Sequence, residues 1–211
     1  ASCLVGSEMC IRDRFIVAQE DDANLDVQNE YDFFQHLFSR VDWSRDLHFQ
    51  TKTTMDTLDY SSTGEINEGS KVVCAAVGKK KRELCKDLSN LSIENGLKPY
   101  LVMPGVLVVE SEDVESVKSK LKHLELEGIA LITLVDDAAF VAEDISNWLW
   151  VTFTRSNPAE DIFGLEEGIQ NKHWHCRIPI IDARAKPHHA PAMYMPDEIV
   201  QLAHQKINKA L

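Results

Sequence analysis

One segment of the chain recurs, without a gap, further along the same sequence. Residues 15–46 correspond to residues 130–161, and both copies run from an apolar stretch through two acids and an aromatic segment to an arginine, a turn and an aspartate. The identical positions are few and include Asp21-Asp22 with Asp136-Asp137, Phe38 with Phe153, Arg40 with Arg155, and Asp46 with Asp161. An apolar run followed by helical spacing is typical of a strand and a helix. The repeat therefore predicts a duplicated α/β unit.

Length and charge limit the class of protein. The 211 residues suffice for one domain of good size or two small ones, and the 44% apolar content supports a real core. The 34 acids against 22 bases give a net charge of −12, which disfavours nucleic acid or an anionic membrane surface as a partner. The sequence contains no run of about 18 apolar residues, so we expect no transmembrane helix.

The first residues and the cysteines bear on origin and compartment. Residues 2–14 resemble translated sequencing-adapter sequence, so we set residues 1–14 apart and expect the native protein to begin upstream. Two of the five cysteines lie in that segment, and Cys74, Cys85 and Cys176 show no Cys-x-x-Cys spacing. This odd set predicts buried or free thiols in a reducing, cytoplasmic protein rather than a disulfide scaffold.

Strand and helix signals alternate along the chain. Buried strands are predicted at residues 15–19, 71–77, 129–135 and 178–181, and residues 100–109 are predicted to form two short strands or one kinked strand. Helices are predicted at residues 29–39, 112–126, 145–152 and 197–210. Residues 47–68 are expected to form a polar surface excursion, and residues 79–95 a short solvated helix and linker. This order favours an α/β fold with mostly parallel sheet layers, flanking helices and two related units in tandem.

The first copy carries a series of spaced motifs. In order they are Asp21-Asp22, Ser39-Arg40, Asp42-Trp43-Ser44-Arg45-Asp46, Asp56-Thr57-Leu58-Asp59 and Gly69-Ser70-Lys71. The series resembles the C-terminal end of the UbiD family, the 3-polyprenyl-4-hydroxybenzoate carboxy-lyases and related decarboxylases. Two positions depart from the family pattern, since Trp43 replaces the usual proline and Ala75-Ala76 stands where Asp-Ala is expected.

The second copy resembles the same series again. Thr154-Arg155 is followed by residues 157–161, which restore the proline, and residues 182–187 resemble the Asp-Ala segment that the first unit lacks. The chain is in this respect similar to long family members that carry an extra C-terminal extension. On this resemblance, residues 15–90 end the common C-terminal domain, and residues 91–211 form an appended α/β unit with a closing helix.

The resemblance implies non-oxidative decarboxylation of an aromatic or unsaturated acid, in ubiquinone or menaquinone biosynthesis. It also implies prenylated FMN with manganese and potassium, and catalysis by an arginine and two glutamates in a Glu-Gly-x-Phe-Gly-Glu pattern. Glu-Gly occurs at residues 68–69, 127–128 and 167–168, and none of the three continues in that pattern. We therefore assign no catalytic, cofactor-binding or metal-binding residue, and expect the chain alone to be inactive and to bind none of these cofactors. Its expected role is to complete the fold, close over the upstream flavin domain and build a homo-oligomer.

Several polar residues could carry chemistry of their own. The acid pairs Asp21-Asp22 and Asp136-Asp137 follow predicted strands, where α/β folds place ligands, so they could bind a cation or cap the next loop. Each unit also has an arginine that could clamp a carboxylate or fix a turn by pairing with an aspartate. These pairs are Arg40 with Asp46 and Arg155 with Asp161.

Histidines and aromatic residues are concentrated in the second half. The zinc-type ligands there are His173, His175, Cys176, His188 and His189, but their spacing is not that of a zinc finger, so loop histidines stacked on Trp174 are the alternative. Lys186-Pro187 could contact a substrate or pack at a strand end. The aromatic residues that favour a core or a subunit interface are Trp148, Trp150, Phe153 and Phe163.

A non-enzymatic hypothesis also explains the repeat. A tandem α/β module that binds a protein partner or a small ligand would need no catalytic motif. A Ser-His-Asp hydrolase is disfavoured because no Gly-x-Ser-x-Gly motif occurs, and neither a P-loop nor a Gly-x-Gly-x-x-Gly motif supports nucleotide binding.

Overall fold

The computed structural model describes residues 2–3, 14–18, 25–26, 28–54, 61, 68–91, 93, 96–190 and 195–210. The strands are β1 (Ser2–Cys3), β2 (Arg14–Ala18), β3 (Leu47–Thr53), β4 (Gly69–Ala76), β5 (Tyr100–Met103), β6 (Val106–Glu110), β7 (Leu131–Val135), β8 (Ile162–Leu165), β9 (Gly168–Gln170), β10 (His173–His175) and β11 (Ile178–Asp182). The helices are α1 (Glu30–Arg40), α2 (Val114–Leu121), α3 (Ala138–Glu143), α4 (Ile145–Thr154), α5 (Pro158–Asp161) and α6 (Asp197–Ala210), with a 3₁₀ turn at Leu88–Asn90.

The first sheet has the strand order β1-β2-β4-β3. Its central strands β2 and β4 pair in parallel, and β1 and β3 add antiparallel edges. Helix α1 begins, as predicted, after Asn29, whose side chain accepts the Asp32 N–H at 3.2 Å. This cap satisfies one of the N–H groups that the first turn of a helix leaves unpaired.

The second sheet has the strand order β5-β6-β7-β11-β8. Strands β6, β7 and β11 pair in parallel, and β5 and β8 are antiparallel edges. Every residue of β7 and β11 is buried, as expected for parallel strands that are covered on both faces. The predicted α/β class is confirmed, with antiparallel strands added at the edges of both sheets.

The two units share one topology. In each unit, a first strand is followed by a helix, a tight turn and an edge strand. The last strand of the unit then lies between the first strand and the edge strand. This path is β2, α1, β3 and β4 in the first unit, and β7, α4, β8 and β11 in the second. Helix α1 begins at Glu30 and α4 at Ile145, a separation of 115 residues that matches the sequence repeat. The predicted duplication is therefore present in the fold.

The two units pack together through α1 and α4. The rings of Phe34 and Trp148 meet edge to face with centroids 5.3 Å apart, and Phe153 lies 5.7 Å from Trp148. Trp148 is fully buried, and its indole N–H donates to Thr133 Oγ1 at 3.0 Å. A cavity of about 60 Å³ remains between the units, lined almost entirely by apolar side chains that include Cys74. Aromatic burial of this kind supplies much of the energy that joins the units.

The prediction of a polar surface excursion at residues 47–68 is wrong for its first residues. Residues 47–53 form β3, which is antiparallel to β4. Leu47 is buried and Phe49 half-buried, whereas His48 and Gln50 are exposed. An edge strand with one solvated face has few apolar residues, so its pattern is weak in the sequence.

The helix predicted within residues 79–95 is also wrong. The described part has no helix or strand except for the 3₁₀ turn, and Lys81 N–H donates to Ser39 O at 2.8 Å. Further along, Cys85 N–H donates to Gly128 O at 3.0 Å. Gly128 has φ +76°, and a Cβ atom there would lie 2.5 Å from Cys85 N, so this approach requires glycine. Tertiary hydrogen bonds thus replace those that a helix would have made.

Other elements complete the fold. The hairpin of β9 and β10 was not predicted, because its strands are short and largely polar. The helices predicted at residues 112–126 and 197–210 are confirmed as α2 and α6. Among the residues that the structure describes, no helix is long and apolar enough to cross a membrane.

Cys74, Cys85 and Cys176 are free thiols, as predicted. Cys74 and Cys176 are buried, and Cys85 is half-buried. Burial raises the pKa of Cys74 to about 12, and it also raises the pKa of Cys176. Both buried thiols therefore stay protonated and contribute to packing.

Candidate functional site

The carboxyl end of β7 carries the acid pair of the second unit. Asp137 caps α3 by accepting the Phe140 N–H at 2.9 Å. Asp136 accepts the Ala185 N–H at 2.7 Å. Both acids therefore order loops, which confirms the capping alternative. The equivalent pair Asp21-Asp22 lies outside the described residues.

The second unit pairs its charges differently from the prediction. Arg155 binds Asp136 at 3.2 Å rather than Asp161. Asp161 instead lies 3.2 Å from the Lys186 ammonium and accepts the Asn157 N–H at 2.6 Å. The predicted pair was wrong because sequence spacing did not show that the ends of β7 and α4 meet at one edge of the sheet.

The first unit departs from the prediction in a similar way. Asp46 binds its neighbour Arg45 at 2.5 Å and accepts the Asp42 N–H at 2.9 Å. Arg40 turns back along α1, where its Nη1 donates to His36 O at 3.3 Å. The expected pair of Arg40 with Asp46 is not formed in the described part of the chain. In both units the aspartate closes its turn, but the cation that pairs with the aspartate is not the predicted arginine.

Lys186 lies at the same edge of the second sheet, beyond the end of β11. Its ammonium donates to Asp182 O at 2.9 Å and to Arg155 O at 3.0 Å. Arg155 ends α4, where the exposed carbonyl groups favour a cation. The lysine therefore joins the end of α4 to the end of β11, which confirms its predicted place at a strand end.

Burial and ion pairing oppose each other at this edge. Burial raises the pKa of Asp161, and the charge of Lys186 works against that shift. Burial also acts to raise the pKa of Asp182, but hydrogen bonding to Arg184, 2.7 Å away, and the charge of Lys186 lower it overall. We call this group the edge cluster, and its ion pairs are Arg155 with Asp136, Arg184 with Asp182, and Lys186 with Asp161.

The histidines do not converge on a metal site. His173 lies on β10 and packs against His48, with ring centroids 5.1 Å apart. His189 follows β11, and its Nδ1 accepts the Lys186 N–H at 3.1 Å. Burial lowers the pKa of His189 to about 4. Within the described ranges no three metal-binding side chains lie together.

The aromatic residues divide between the core and the surface. Trp148 and Phe153 are buried, as the core hypothesis predicted, but Trp150 on α4 is 68% exposed. Trp174 packs edge to face against Phe49 at 5.3 Å, and does not carry the histidine stacking expected of it. These contacts bind the hairpin of β9 and β10 to the first sheet.

The turn that follows each central helix is duplicated. Asp46 Oδ2 accepts the Asp42 N–H at 2.9 Å, and Asp161 Oδ2 accepts the Asn157 N–H at 2.6 Å. In return, the N–H of each aspartate donates to the carbonyl of the same partner residue at 2.8 Å. An aspartate four positions after the start thus closes both turns, which explains why the sequence repeat extends this far.

Each of these turns contacts the other unit. The Trp43 indole N–H donates to Ala130 O at 2.8 Å, just before β7. Reciprocally, the Ala159 N–H donates to Ser70 Oγ at 2.8 Å, and the Ser70 hydroxyl donates to Asn157 Oδ1. Ser70 and Asn157 are both buried. We call this set of contacts the inter-unit joint; it brings the Gly-Ser-Lys motif of one unit against the Asn-Pro motif of the other.

The edge cluster does not fit a phosphate-bearing flavin. A phosphate site needs uncommitted backbone N–H groups or cations. Arg155, Arg184 and Lys186 are each held by a carboxylate. In the part of the chain that is described, the edge cluster and the inter-unit joint hold loops and units together, and they offer no cradle for a cofactor.

Comparison with known proteins assigns the family. The model of the 3-octaprenyl-4-hydroxybenzoate carboxy-lyase C-terminal domain, the UbiD C-terminal domain, matches residues 2–76. A 4-hydroxybenzoate decarboxylase subunit of Chlamydia pneumoniae is 31% identical over 153 residues, or 72% of this chain and 26% of that protein. The chain belongs to the UbiD family. The matched domain ends at Ala76, the last residue of β4, and the range includes residues 2–14, so their adapter origin stays a prediction.

Two further relatives also match residues of the second unit. An uncharacterised protein of Chlamydia caviae is 26% identical over 190 residues, or 89% of this chain and 32% of that protein. An uncharacterised protein of Chlamydia muridarum is 30% identical over 168 residues, or 79% of this chain and 29% of that protein. The chain spans between a quarter and a third of the length of these curated relatives.

A solved structure overlaps with part of the fold. The vanillic acid decarboxylase of Sedimentibacter hydroxybenzoicus, in its open form, is 17% identical with a TM-score of 0.34. The overlap covers 49% of this chain and 27% of the solved chain. The domain boundaries proposed at residues 15–90 and 91–211 stay predictions.

Proposed function

We propose that the chain is the C-terminal structural part of a prenylated-FMN-dependent carboxy-lyase that decarboxylates an aromatic or unsaturated acid. Membership of the UbiD family and the likeness to a subunit of a 4-hydroxybenzoate decarboxylase support the reaction class. A hydroxybenzoate, or a related quinone precursor in the cytoplasm, is the proposed substrate. The catalytic arginine and glutamates, with the manganese and potassium sites, are assigned to upstream domains of the same protein.

The inter-unit joint is the observation that supports the structural role proposed for this chain. Ser70 and Asn157 are buried polar groups that hydrogen-bond to each other across the unit boundary, so the two units form one packed body. Buried side chains that hydrogen-bond between two units restrict their relative motion, so the units form a rigid support for other domains. The role assigned to the chain is to complete the fold, close over the flavin domain and contribute to a homo-oligomer.

The direct test compares the chain with the protein that includes its upstream domains. The longer protein, loaded with prenylated FMN, should release CO₂ from members of a panel of hydroxybenzoates and unsaturated acids. The 211-residue chain under the same conditions should retain no flavin after gel filtration and release no CO₂. Tight flavin retention or CO₂ release by the chain alone would overturn its assignment as a structural part.

A second matched experiment tests whether the joint supports the reaction. In the longer protein, Ser70→Ala should reduce the activity that survives mild heating, because it weakens the body that supports the flavin domain. Ser119→Ala is the control, since Ser119 is exposed on α2. Equal heat sensitivity of the two variants would contradict a supporting role for the joint.

A binding module is the alternative function, and one observation favours it. Phe140 on α3 is 48% exposed and Trp150 on α4 is 68% exposed. Exposed aromatic residues are frequent anchors in protein interfaces. If the longer protein releases no CO₂ from any acid of the panel, this alternative takes precedence.

A further inference from the structure

Two large aromatic side chains are exposed on the consecutive helices α3 and α4. They are Phe140, which is 48% exposed, and Trp150, which is 68% exposed. Asn147 lies three residues before Trp150, so the two side chains are on the same side of α4. The Asn147 side-chain amide donates to Phe140 O at 3.0 Å, which places Phe140 of α3 beside that side of α4. We call Phe140, Asn147 and Trp150 the aromatic face.

The first unit shows that the fold does not require a tryptophan at the position of Trp150. The shift of 115 residues that relates α1 to α4 places Gln35 on Trp150. The same shift places Phe33 on Trp148, and both of these side chains are buried. Packing therefore requires an aromatic residue at the buried position, whereas the exposed indole is a property of the second unit alone. An exposed aromatic side chain that the fold does not need is typical of an interface anchor.

The surroundings of the aromatic face carry negative charge. Every charged residue from 136 to 154 is an acid. One of these acids pairs with Arg155. The others are Asp137, Glu143 and Asp144, which are exposed and form no ion pair within the part of the chain that the structure describes. Glu143 ends α3 and Asp144 caps α4, so two uncompensated carboxylates lie at the junction of the helices that carry the aromatic face.

A partner that covers this face must combine apolar surface with positive charge. Burial of the Phe140 and Trp150 rings requires apolar side chains on the partner. Contact removes water from the nearby carboxylates, and a cation placed opposite them offsets that loss. Arginine suits both features, because a guanidinium group stacks on an indole ring and pairs with a carboxylate. A second copy of the same face is disfavoured, since the acids of the two copies would repel each other and the whole chain carries −12.

We infer that the aromatic face binds a basic segment of another protein. Apolar side chains of that segment cover Phe140 and Trp150, and its arginine or lysine side chains meet Glu143 and Asp144. The inference goes beyond the proposed decarboxylase function, because no catalytic residue takes part in it. It gives the binding-module alternative a surface and a partner of defined chemistry.

The first test measures, by calorimetry, the binding of a short amphipathic peptide of leucine and arginine to the 211-residue chain. The same peptide with glutamate in place of arginine should not bind. Trp150→Gln, which installs the residue of the first unit, should raise the Kd of the basic peptide at least about tenfold. Ile169→Gln is the matched control, since Ile169 is 76% exposed on β9. No binding of the basic peptide, equal binding of the acidic one, or equal effects of the two substitutions would overturn the inference.

The second test separates the local acids from the net charge of the chain. Glu143→Lys should weaken binding of the basic peptide several-fold, because it places a cation where the arginine side chains meet the face. Glu125→Lys is the control, since Glu125 is exposed after α2 and its substitution changes the net charge by the same amount. Circular dichroism should show the parent helix content in both variants. Equal weakening by the two substitutions would mean that net charge alone attracts the peptide, and would contradict a specific face.

The third test distinguishes a separate partner from the upstream domains of the longer protein. Acrylamide quenching of Trp150, measured as the difference between the parent and Trp150→Gln, should be the same in the longer protein and in the 211-residue chain. The basic peptide should bind both with the same Kd. Protection of Trp150 and loss of peptide binding in the longer protein would show that upstream domains cover the face, and would contradict the inference. Peptide binding and CO₂ release are separate measurements, so failure of either proposal is visible on its own.

Discussion

Asp46 and Asp161 occupy equivalent positions in the two units, and each accepts the backbone N–H of the residue four positions before it, at 2.9 and 2.6 Å. Their cation partners differ in exposure. The Arg45 side chain beside Asp46 is 57% exposed, whereas the Lys186 side chain beside Asp161 is 19% exposed. The duplicated turn has therefore kept its backbone bonds and changed its electrostatic surroundings.

This difference predicts unequal effects of the same substitution. Asp46→Ala should lower the free energy of unfolding by about 1–2 kcal/mol, because it removes one cap to a backbone N–H. Asp161→Ala should lower it by about 2–4 kcal/mol, because it also leaves Lys186 without its carboxylate. Urea unfolding measures both values. Glu160→Gln, at an exposed neighbouring site, should have little effect. Equal losses at Asp46 and Asp161 would contradict the role given to Lys186.

The inter-unit joint predicts coupling between the units. Ser70→Ala removes the acceptor of the Ala159 N–H and the donor to Asn157, both in a buried region. The free energy of unfolding should fall by about 1–3 kcal/mol. Hydrogen exchange should also become faster at residues 157–161 of the other unit. Unchanged exchange there would show that the joint does not hold the second unit.

The aromatic contact between the central helices predicts a measurable coupling energy. Phe34→Leu and Trp148→Phe should each destabilise the chain, and the double variant should lose less than the sum of the single losses by about 0.5–1.5 kcal/mol. Trp150→Phe is the control, because Trp150 is 68% exposed on the same helix as Trp148. Strict additivity of the two core substitutions would argue against direct contact between the units.

His189 predicts a loss of stability in mild acid. Its pKa in the folded chain is lowered from 6.5 to about 4, mainly by burial and further by the charge of Lys186 and by His188 and Arg155, with Asp136 opposing the shift. The unfolded chain takes up this proton first, so the stabilisation is complete above the ordinary pKa and is lost as the pH falls toward about 4. Unfolding measured between about pH 7 and pH 4.5 should show a smaller loss in His189→Asn than in the parent chain. An identical pH dependence would contradict the burial of this imidazole.

The sequence predicted the elements with strong periodic signals. Helix α1 has an aromatic face and a side-chain cap at Asn29, and both are local properties of the sequence. The buried strand β7 is apolar at every position except Thr133. The repeat itself indicated the duplicated topology, because residue classes persist where identities are lost.

Features that depend on tertiary contacts were not predictable. The edge strand β3 is defined by its pairing with β4, and the segment around Cys85 is not helical because it bonds to Gly128 in another part of the chain. The pairing of Arg155 with Asp136 follows from a shared sheet edge, which sequence separation does not reveal. The sequence repeat did indicate the inter-unit joint in one respect. Each copy of the repeat ends in one of the two turns, and each of these turns contacts the other unit.

The most direct test of the proposed function is the sequence of the native transcript upstream of Phe15. The proposal predicts an in-frame extension that encodes Glu-Gly-x-Phe-Gly-Glu, which would place the catalytic acids in the same protein as this structural C-terminal part. A start codon immediately before Phe15, with no such extension, would contradict it and would favour a UbiD-derived binding module.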